Sequence, residues 1–134
     1  MSVRAQIRSR ASFDHHDRVV VDGVVVGRVD DFDAGQPHIV DVNGTSAVIV
    51  RYQGSFFAMV NACPHLRRDL RNAHVKGPHI VCPAHLGAWD VRTGNPSRPT
   101  RQISGASGLN LLAVEVVTED GVALQTTHSR HREY

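Results

Sequence analysis

The sequence predicts an all-β protein built from short antiparallel strands, and three observations carry that prediction. First, dipeptides that favour the positive backbone φ angles of tight hairpin turns recur between apolar segments. They are Asp22-Gly23, Asn43-Gly44 and Asp120-Gly121, with Gln53-Gly54 as a weaker instance. Second, the segments that flank these turns are short and rich in β-branched residues. Third, no window shows the sustained apolar period of 3.6 residues that an amphipathic helix needs.

These strand segments predict one domain over residues 19–127. The chain of 134 residues is long enough to bury one core but leaves no room for a second catalytic domain. Residues 1–18 are expected to form a flexible tail, since the first thirteen carry three arginines and no acid. Residues 128–134 are expected to form a polar C-terminal tail.

Composition excludes several classes of function. A formal net charge of +2 gives no support to nucleic-acid binding. No apolar run approaches the roughly 18 residues of a membrane span. No long apolar stretch of a secretory signal follows the N-terminal arginines, so a cytoplasmic protein is expected.

Two matched pairs of potential metal ligands are the most informative feature of the chain. Cys63 is followed by His65 in a C-x-H box, and Cys82 by His85 in a C-x-x-H box; these are the only two cysteines. An oxidising compartment would permit one disulfide, but each thiol has its own neighbouring imidazole, which favours metal ligation. Each box follows a strand-like segment, so loops at the ends of adjacent hairpins would bring the four side chains together.

This donor set favours a two-iron cluster over zinc. Structural zinc sites usually place like donors within one loop, whereas each loop here offers one thiolate and one imidazole. That arrangement suits a [2Fe–2S] cluster in which one iron takes both thiolates and the other takes both imidazoles. Neutral imidazoles reduce the negative charge of the centre, so an electron is added more easily. Zinc in the same site, or two buried cysteines beside ordinary histidines, are the alternatives.

The pattern resembles the Rieske iron–sulfur domain family, and in particular the small Rieske-type ferredoxins. Beyond the two boxes, Trp89-Asp90-Val91-Arg92-Thr93-Gly94 matches the aromatic-Asp-x-x-Thr-Gly run of the family. The resemblance implies stacked antiparallel sheets with a small cluster-binding subdomain. It also implies that one [2Fe–2S] cluster is held by Cys63 and Cys82 on the inner iron, and by His65 and His85 on the outer iron.

Two positions depart from the family pattern. The family commonly has glycine two residues after its first histidine and directly after its second. This chain has Arg67 and Leu86 there, with Gly87 one place later. Glycine is used where the backbone folds tightly or approaches a cofactor, so both positions bear on the conformation of the loops.

The chain also has fewer hydrogen-bond donors to the cluster sulfurs than high-potential relatives. This predicts a reduction potential at the lower, ferredoxin-like end of the range.

The function that the resemblance implies is one-electron transfer. The protein would accept an electron from a flavin-dependent reductase and pass it to a terminal oxygenase or similar enzyme. No activated nucleophile is visible, so no substrate turnover is expected from the chain alone. One alternative is a small Rieske-like subunit of a multi-subunit oxidoreductase of the nitrite reductase type, and another is a zinc-stabilised binding module.

Several polar or aromatic features have plainer interpretations. Trp89 is expected to serve packing, and His74 and His79 are expected to be surface or loop residues. The run at residues 14–17 is expected to be a solvated turn. A charged segment with one acid, Asp69, lies between the boxes. This segment is either a solvated loop or a surface beside the histidine ligands that steers an acidic redox partner. Its cations are Arg67, Arg68, Arg71 and Lys76.

Overall fold

The computed structural model describes residues 13–14, 16–64, 67–83, 87–104 and 108–127. Within these residues the chain forms three antiparallel sheets, which confirms the predicted all-β class. Of the two predicted tails, residues 1–12, residue 15 and residues 128–134 lie outside the described residues.

The first sheet joins the two ends of the described chain. Its strand order is β11-β10-β1-β2. The strands are β1 (Arg18–Val21), β2 (Val24–Arg28), β10 (Val114–Val117) and β11 (Ala123–Thr127). β1 and β10 are antiparallel, with Arg18 opposite Val117 and Val21 opposite Val114.

The second sheet is the middle layer, with strand order β3-β4-β5-β9. Its strands are β3 (His38–Val42), β4 (Thr45–Tyr52), β5 (Ser55–Val60) and β9 (Leu111–Leu112). Ala47 and Ile49 of β4 pack into the core shared with the first sheet. Val48 and Val50 pack into a second core on the opposite face. Because both faces of β4 are buried, residues 47–50 are a continuous apolar run rather than an alternating one.

The third sheet is small and lies against the second core. It comprises β6 (His74–Lys76), β7 (His79–Val81) and β8 (Ala88–Asp90), in the order β6-β7-β8. Ile80 and Trp89 from this sheet are buried in the second core. This sheet, with the loops that adjoin it, corresponds to the predicted small subdomain.

The four predicted hairpin turns are confirmed. They connect β1 to β2, β3 to β4, β4 to β5, and β10 to β11. At the first three, both central residues have positive φ; at the last, Gly121 does. These are Asp22 with Gly23, Asn43 with Gly44, and Gln53 with Gly54.

Two short helices lie between strands in the part of the chain that the structure describes. A 3-10 helix spans Val29–Asp31, and α1 spans Arg98–Ser104. The sequence did not predict α1, because one helix of two turns is too short to produce an apolar period. Within the described residues, no helix is long and apolar enough to cross a bilayer.

A buried glutamine ties the first sheet to the middle one. Gln125 of β11 is 4% exposed. Its Oε1 accepts from the backbone N–H of Phe56 at 2.8 Å, and its Nε2 donates to the carbonyl of Phe56 at 2.8 Å. The side-chain amide of Gln125 thus makes the two hydrogen bonds that a neighbouring strand would make to Phe56 of β5. The polar groups of both residues are therefore hydrogen-bonded.

Candidate metal centre

The first cysteine lies in a loop that closes on itself soon after β5. Cys63 is fully buried, and its backbone N–H donates to the carbonyl of Arg68 at 2.7 Å. The N–H of Arg67 donates in return to the carbonyl of Cys63 at 2.5 Å. We call residues 61–70 the first loop. His65 belongs to it by sequence but lies outside the described residues.

Arg67 has a left-handed backbone, with φ +55°. Such a conformation raises the energy of a residue with a Cβ by roughly 1 kcal/mol, because the Cβ crowds the following carbonyl. Arg67 stands where the family commonly has glycine. The turn therefore uses a backbone conformation that suits glycine, and the arginine adopts it at an energetic cost.

One side chain, that of Asn61, anchors the first loop to the middle sheet. Its Nδ2 donates to Ser46 Oγ of β4 and to Asp69 Oδ2, both at 3.0 Å. Its Oδ1 accepts from the backbone N–H of Leu70 at 2.6 Å. Asn61 lies two residues before Cys63, so these three bonds hold both ends of the segment that carries the first thiol. Nothing in the local sequence marks Asn61 for this role.

The second cysteine occupies a similar closed loop after β7. Cys82 is 1% exposed, and its backbone N–H donates to the carbonyl of Gly87 at 2.8 Å. We call residues 82–87 the second loop. Its predicted ligand His85 lies outside the described residues, as does Leu86.

Gly87 closes the second loop against the ring of Trp89. A Cβ at Gly87 would lie 2.7 Å from Cη2 and 2.9 Å from Cζ3 of that ring. Trp89 is 1% exposed, so the ring has little space into which it could move. The prediction that Trp89 serves packing is confirmed, and a close approach explains the need for glycine at position 87.

Both cysteines are buried in the second core, beside Leu70, Ile80 and Trp89. No disulfide joins them. A buried thiol outside a disulfide is either a small apolar packing residue or a metal ligand. Each of these two lies in a closed loop whose sequence includes a histidine. Their donor chemistry therefore fits the iron atom that takes two thiolates in a cluster of mixed ligation.

Among the residues that the structure describes, other candidate ligands do not assemble into a metal site. Within the described ranges, no group of three or more His, Cys, Asp or Glu side chains could hold a metal ion. His74 is exposed and His79 half-buried, and both lie in strands of the third sheet.

The solvated turn expected at residues 14–17 is wrong for Asp17, which is 3% exposed. Its Oδ2 accepts from the N–H of Asp14 at 2.9 Å, so the carboxylate caps the turn from inside.

The segment at residues 94–99 fastens the edge of the third sheet. The N–H of Ser97 donates to the carbonyl of Ala88 at 2.8 Å. The N–H of Ala88 donates to Thr100 Oγ1, also at 2.8 Å. Because Ala88 follows Gly87 directly, these bonds support the end of the second loop. The segment therefore docks on β8 and continues into α1.

Asp90 and Arg92 form a bidentate ion pair at the end of β8. Asp90 Oδ1 accepts from Nε of Arg92 at 3.0 Å and from its backbone N–H at 2.8 Å, and Oδ2 accepts from an Nη at 2.8 Å. Burial alone would raise the pKa of Asp90, but the hydrogen bonds and charge of Arg92 outweigh it and lower that pKa. The pair fixes the turn that follows Trp89.

Asp90→Asn is expected to weaken folding at neutral pH and to have a smaller effect in acid. Because the pKa of Asp90 is lowered in the folded state, the carboxylate stabilises the fold above the unfolded pKa of about 3.9. That contribution is lost as pH falls through the folded pKa. Urea unfolding between pH 7 and pH 3 measures the difference between wild type and variant. A difference that stayed constant over this range would contradict the assignment.

Comparisons with known proteins agree with this arrangement. The model of the Rieske [2Fe-2S] domain family matches residues 22–105. A probable oxygenase component of 3-ketosteroid-9-alpha-monooxygenase from Rhodococcus rhodochrous is 38% identical over 65 residues, which cover 48% of this chain and 16% of that protein. The ferredoxin component of the naphthalene 1,2-dioxygenase/salicylate 5-hydroxylase systems from a Ralstonia species is 33% identical over 66 residues, which cover 49% of this chain and 64% of that protein.

A solved structure shows the same fold. The ferredoxin of carbazole 1,9a-dioxygenase from Nocardioides aromaticivorans IC177 superposes with a TM-score of 0.60 and 28% identity. The match covers 74% of this chain and 92% of that ferredoxin. In contrast, the match spans less than two thirds of the length of either curated relative. Since the family model covers more than half of the chain, and the fold agrees, this chain belongs to the Rieske [2Fe-2S] domain family, whose members bind one [2Fe–2S] cluster.

Proposed function

We propose that this chain is a one-electron carrier, and that Cys63, His65, Cys82 and His85 hold its cluster. The two thiolates would bind one iron from within the second core, and the two imidazoles would bind the other. The bound cluster supplies reversible uptake of a single electron without transfer of any atom. One observation carries the proposal. The two cysteines lie in two separate closed loops, are both buried in the second core, and are not joined by a disulfide.

The protein's own residues would contribute a rigid, dry support for the thiolate side. Leu70, Ile80 and Trp89 are buried in the same core as both cysteines, and this apolar core would exclude water from the sulfur ligands. Cys63 and Cys82 each have their backbone N–H engaged within their own loop, so the loop conformation does not depend on the cluster alone. Electron transfer needs little rearrangement when ligands are held in this way.

The partners we propose are a flavin-dependent reductase as donor and a terminal oxygenase, or a similar enzyme, as acceptor. The match to nearly the full length of a dioxygenase ferredoxin supports this assignment. A cytoplasmic location is part of the proposal, as is a domain that spans residues 19–127. No substrate chemistry is assigned to the chain alone.

A second candidate is the Rieske-like part of a larger oxidoreductase, such as a small subunit. The match to an oxygenase component favours it. Reversible reduction of the purified chain on its own, followed by transfer to a separate acceptor, supports the carrier. Obligate co-purification with a catalytic subunit supports the second candidate.

The test of the cluster is elemental and spectroscopic. We expect two iron atoms and two acid-labile sulfides per chain, and a rhombic EPR signal after reduction with dithionite. His65→Ala and His85→Ala should abolish that signal, whereas the matched control His74→Ala, in a strand of the third sheet, should retain it. Zinc in place of iron would refute the cluster, and a signal that survives loss of either proposed histidine would refute the ligand set.

A further inference from the structure

The first loop and the strand that follows it concentrate positive charge. Residues 67–76 contain four cations and one acid, so this short segment carries more net positive charge than the whole chain, whose formal charge is +2. All five charged side chains are exposed. We call Arg67, Arg68 and Arg71 the arginine loop.

The only acid of this segment is held by internal hydrogen bonds. Asp69 Oδ1 accepts from the backbone N–H of Arg71 at 2.6 Å, and its Oδ2 accepts from Asn61 at 3.0 Å. The guanidinium of Arg71 lies 3.7 Å from the same carboxylate, and its side chain is 65% exposed. Asp69 therefore fixes the loop backbone and offsets at most one of the surrounding cations.

The arginine loop lies directly against the backbone of the first thiol. Cys63 is hydrogen-bonded through its N–H to Arg68 and through its carbonyl to Arg67. Cations placed here contribute strongly to the potential at any partner that approaches this loop, because Coulomb interaction falls with distance and with salt.

Acidic side chains gather on another part of the molecule. Four of them line a single cleft beside the turn between β10 and β11, in the first sheet. They are Asp14, Asp17, Glu119 and Asp120. The first sheet and the third sheet pack on opposite faces of the middle sheet. This acidic cleft and the arginine loop, whose neighbours Cys63 and Leu70 are buried in the second core, therefore lie on opposite sides of the middle sheet.

We propose that the arginine loop is the docking surface for the acidic face of a redox partner protein. This inference rests on the proposed electron-carrier function and adds the charge of the partner that this surface selects. Like charges would be repelled, and an acidic partner would be attracted and oriented with the first loop toward it. Arg67 takes a strained left-handed backbone, which places a third cation at a position where glycine would fold more easily.

Two small oxidants of opposite charge test the sign of the surface without the natural partner. The reduced protein gives one electron to ferricyanide, which becomes ferrocyanide, or one electron to hexaammineruthenium(III), which becomes the ruthenium(II) ion. Stopped-flow rates are measured at increasing ionic strength. We expect the ferricyanide rate constant to fall with salt and the ruthenium rate constant to rise. The opposite trends, or none, would overturn the proposal.

Charge reversal localises the effect. Arg68→Glu changes the charge by two units at about 10 Å from a trivalent probe, so we expect the ferricyanide rate constant to fall roughly fivefold at 0.1 M ionic strength. Arg28→Glu is the matched control, because Arg28 is exposed at the end of β2 in the first sheet. The same change in net charge there should alter the rate constant by less than about 1.5-fold. Equal effects of the two variants would mean that net charge, not the arginine loop, governs the rate.

Two further measurements distinguish an effect on docking from an effect on folding or on cluster content. Arg67→Gly should raise the urea midpoint of unfolding, because it relieves the left-handed strain, and should still lower the ferricyanide rate constant. Binding of hexacyanocobaltate(III), which is redox-inert, should be weakened by Arg68→Glu and unchanged by Arg28→Glu in calorimetry. A chain without iron and sulfide would refute the carrier function itself. A normal cluster whose reactions ignore probe charge would refute only the docking surface.

Discussion

Gly87→Ala is expected to destabilise the protein by about 1–3 kcal/mol, as overpacking of a core does, and to reduce cluster content sharply. The new Cβ would lie 2.7 Å from Trp89 Cη2, a distance at which one of the two groups must move. The indole ring is enclosed in the second core, so the backbone of the second loop would shift instead. The bond from Cys82 N–H to the Gly87 carbonyl would be strained, and the thiol displaced. Urea unfolding and iron content measure the two effects.

A double-mutant cycle identifies the clash as the cause. Trp89→Phe removes the ring atoms that the new Cβ would meet, so Gly87→Ala should cost less in the Trp89→Phe background than in wild type. Gly121→Ala is the control, because φ is +87° and no atom lies within 4 Å of the new Cβ. It should cost about 1 kcal/mol through backbone strain and leave iron content unchanged. Strict additivity of Gly87→Ala and Trp89→Phe would contradict the steric explanation.

Asn61→Ala is expected to lower the free energy of unfolding by about 1–3 kcal/mol and to loosen the first loop. The substitution removes three hydrogen bonds and leaves the N–H of Leu70, a fully buried residue, without its acceptor. Since Asn61 precedes Cys63 by two residues, the disorder would reach the first thiol. We expect partial cluster loss and a broadened EPR signal in the fraction that retains iron.

Two comparisons separate the loop anchor from general destabilisation. Ser46→Ala removes only the side-chain bond from Asn61 to β4 and keeps the backbone bond from the Asn61 N–H to the Ser46 carbonyl. It should cost about 0.5–1 kcal/mol with a normal EPR signal. Asn61→Asp combined with Asp69→Asn exchanges donor and acceptor between the two side chains, and keeps an acceptor for Leu70. This double variant should recover part of the stability that Asn61→Asp alone loses. No recovery would show that the pair does not act as a unit.

Local chemistry explains why the strands and hairpins could be predicted. Asn43-Gly44 is a turn signal that depends only on the φ angles that its two residues tolerate, and the structure uses positive φ at both. Residues 47–50 of β4 are a less direct case. Their continuous apolar run marks a strand with two buried faces, but the run by itself does not say which sheet covers which face.

Contacts between distant residues could not be predicted. Gln125 pairs with the backbone of Phe56, 69 residues away, and no local pattern distinguishes it from an exposed glutamine. Asn61 is similar, because its role depends on Ser46 and Asp69 folding to the same place. The sequence shows that Gly87 departs from the family spacing. The need for glycine there comes from the position of the Trp89 ring, which only the structure gives.

The two ligand boxes could be recognised in the sequence, because their spacing and donor chemistry lie in nearly consecutive residues. Since His65 and His85 lie outside the described residues, the set of four ligands stays a prediction. The C-x-H and C-x-x-H boxes predicted two loops that converge, and the structure buries both cysteines in one core. The left-handed backbone of Arg67 was indicated only by the glycine that the family commonly has at this position, since arginine itself gives no sign of a positive φ. The charge of the arginine loop was visible in the sequence, whereas its contact with Cys63 required the structure.

The pairing of β1 with β10 has a consequence for biosynthesis. Arg18 donates a hydrogen bond to Thr118, 100 residues further along, so the first hairpin lacks its neighbour until most of the chain has been translated. At roughly 5–20 residues per second that interval lasts about 5–20 s. During this interval the edge of β1 that later pairs with β10 would have unpaired backbone N–H and C=O groups, which could pair with other nascent chains. Overproduction is therefore expected to be limited by aggregation during synthesis, and slower translation at low temperature together with chaperone holdases should improve the yield.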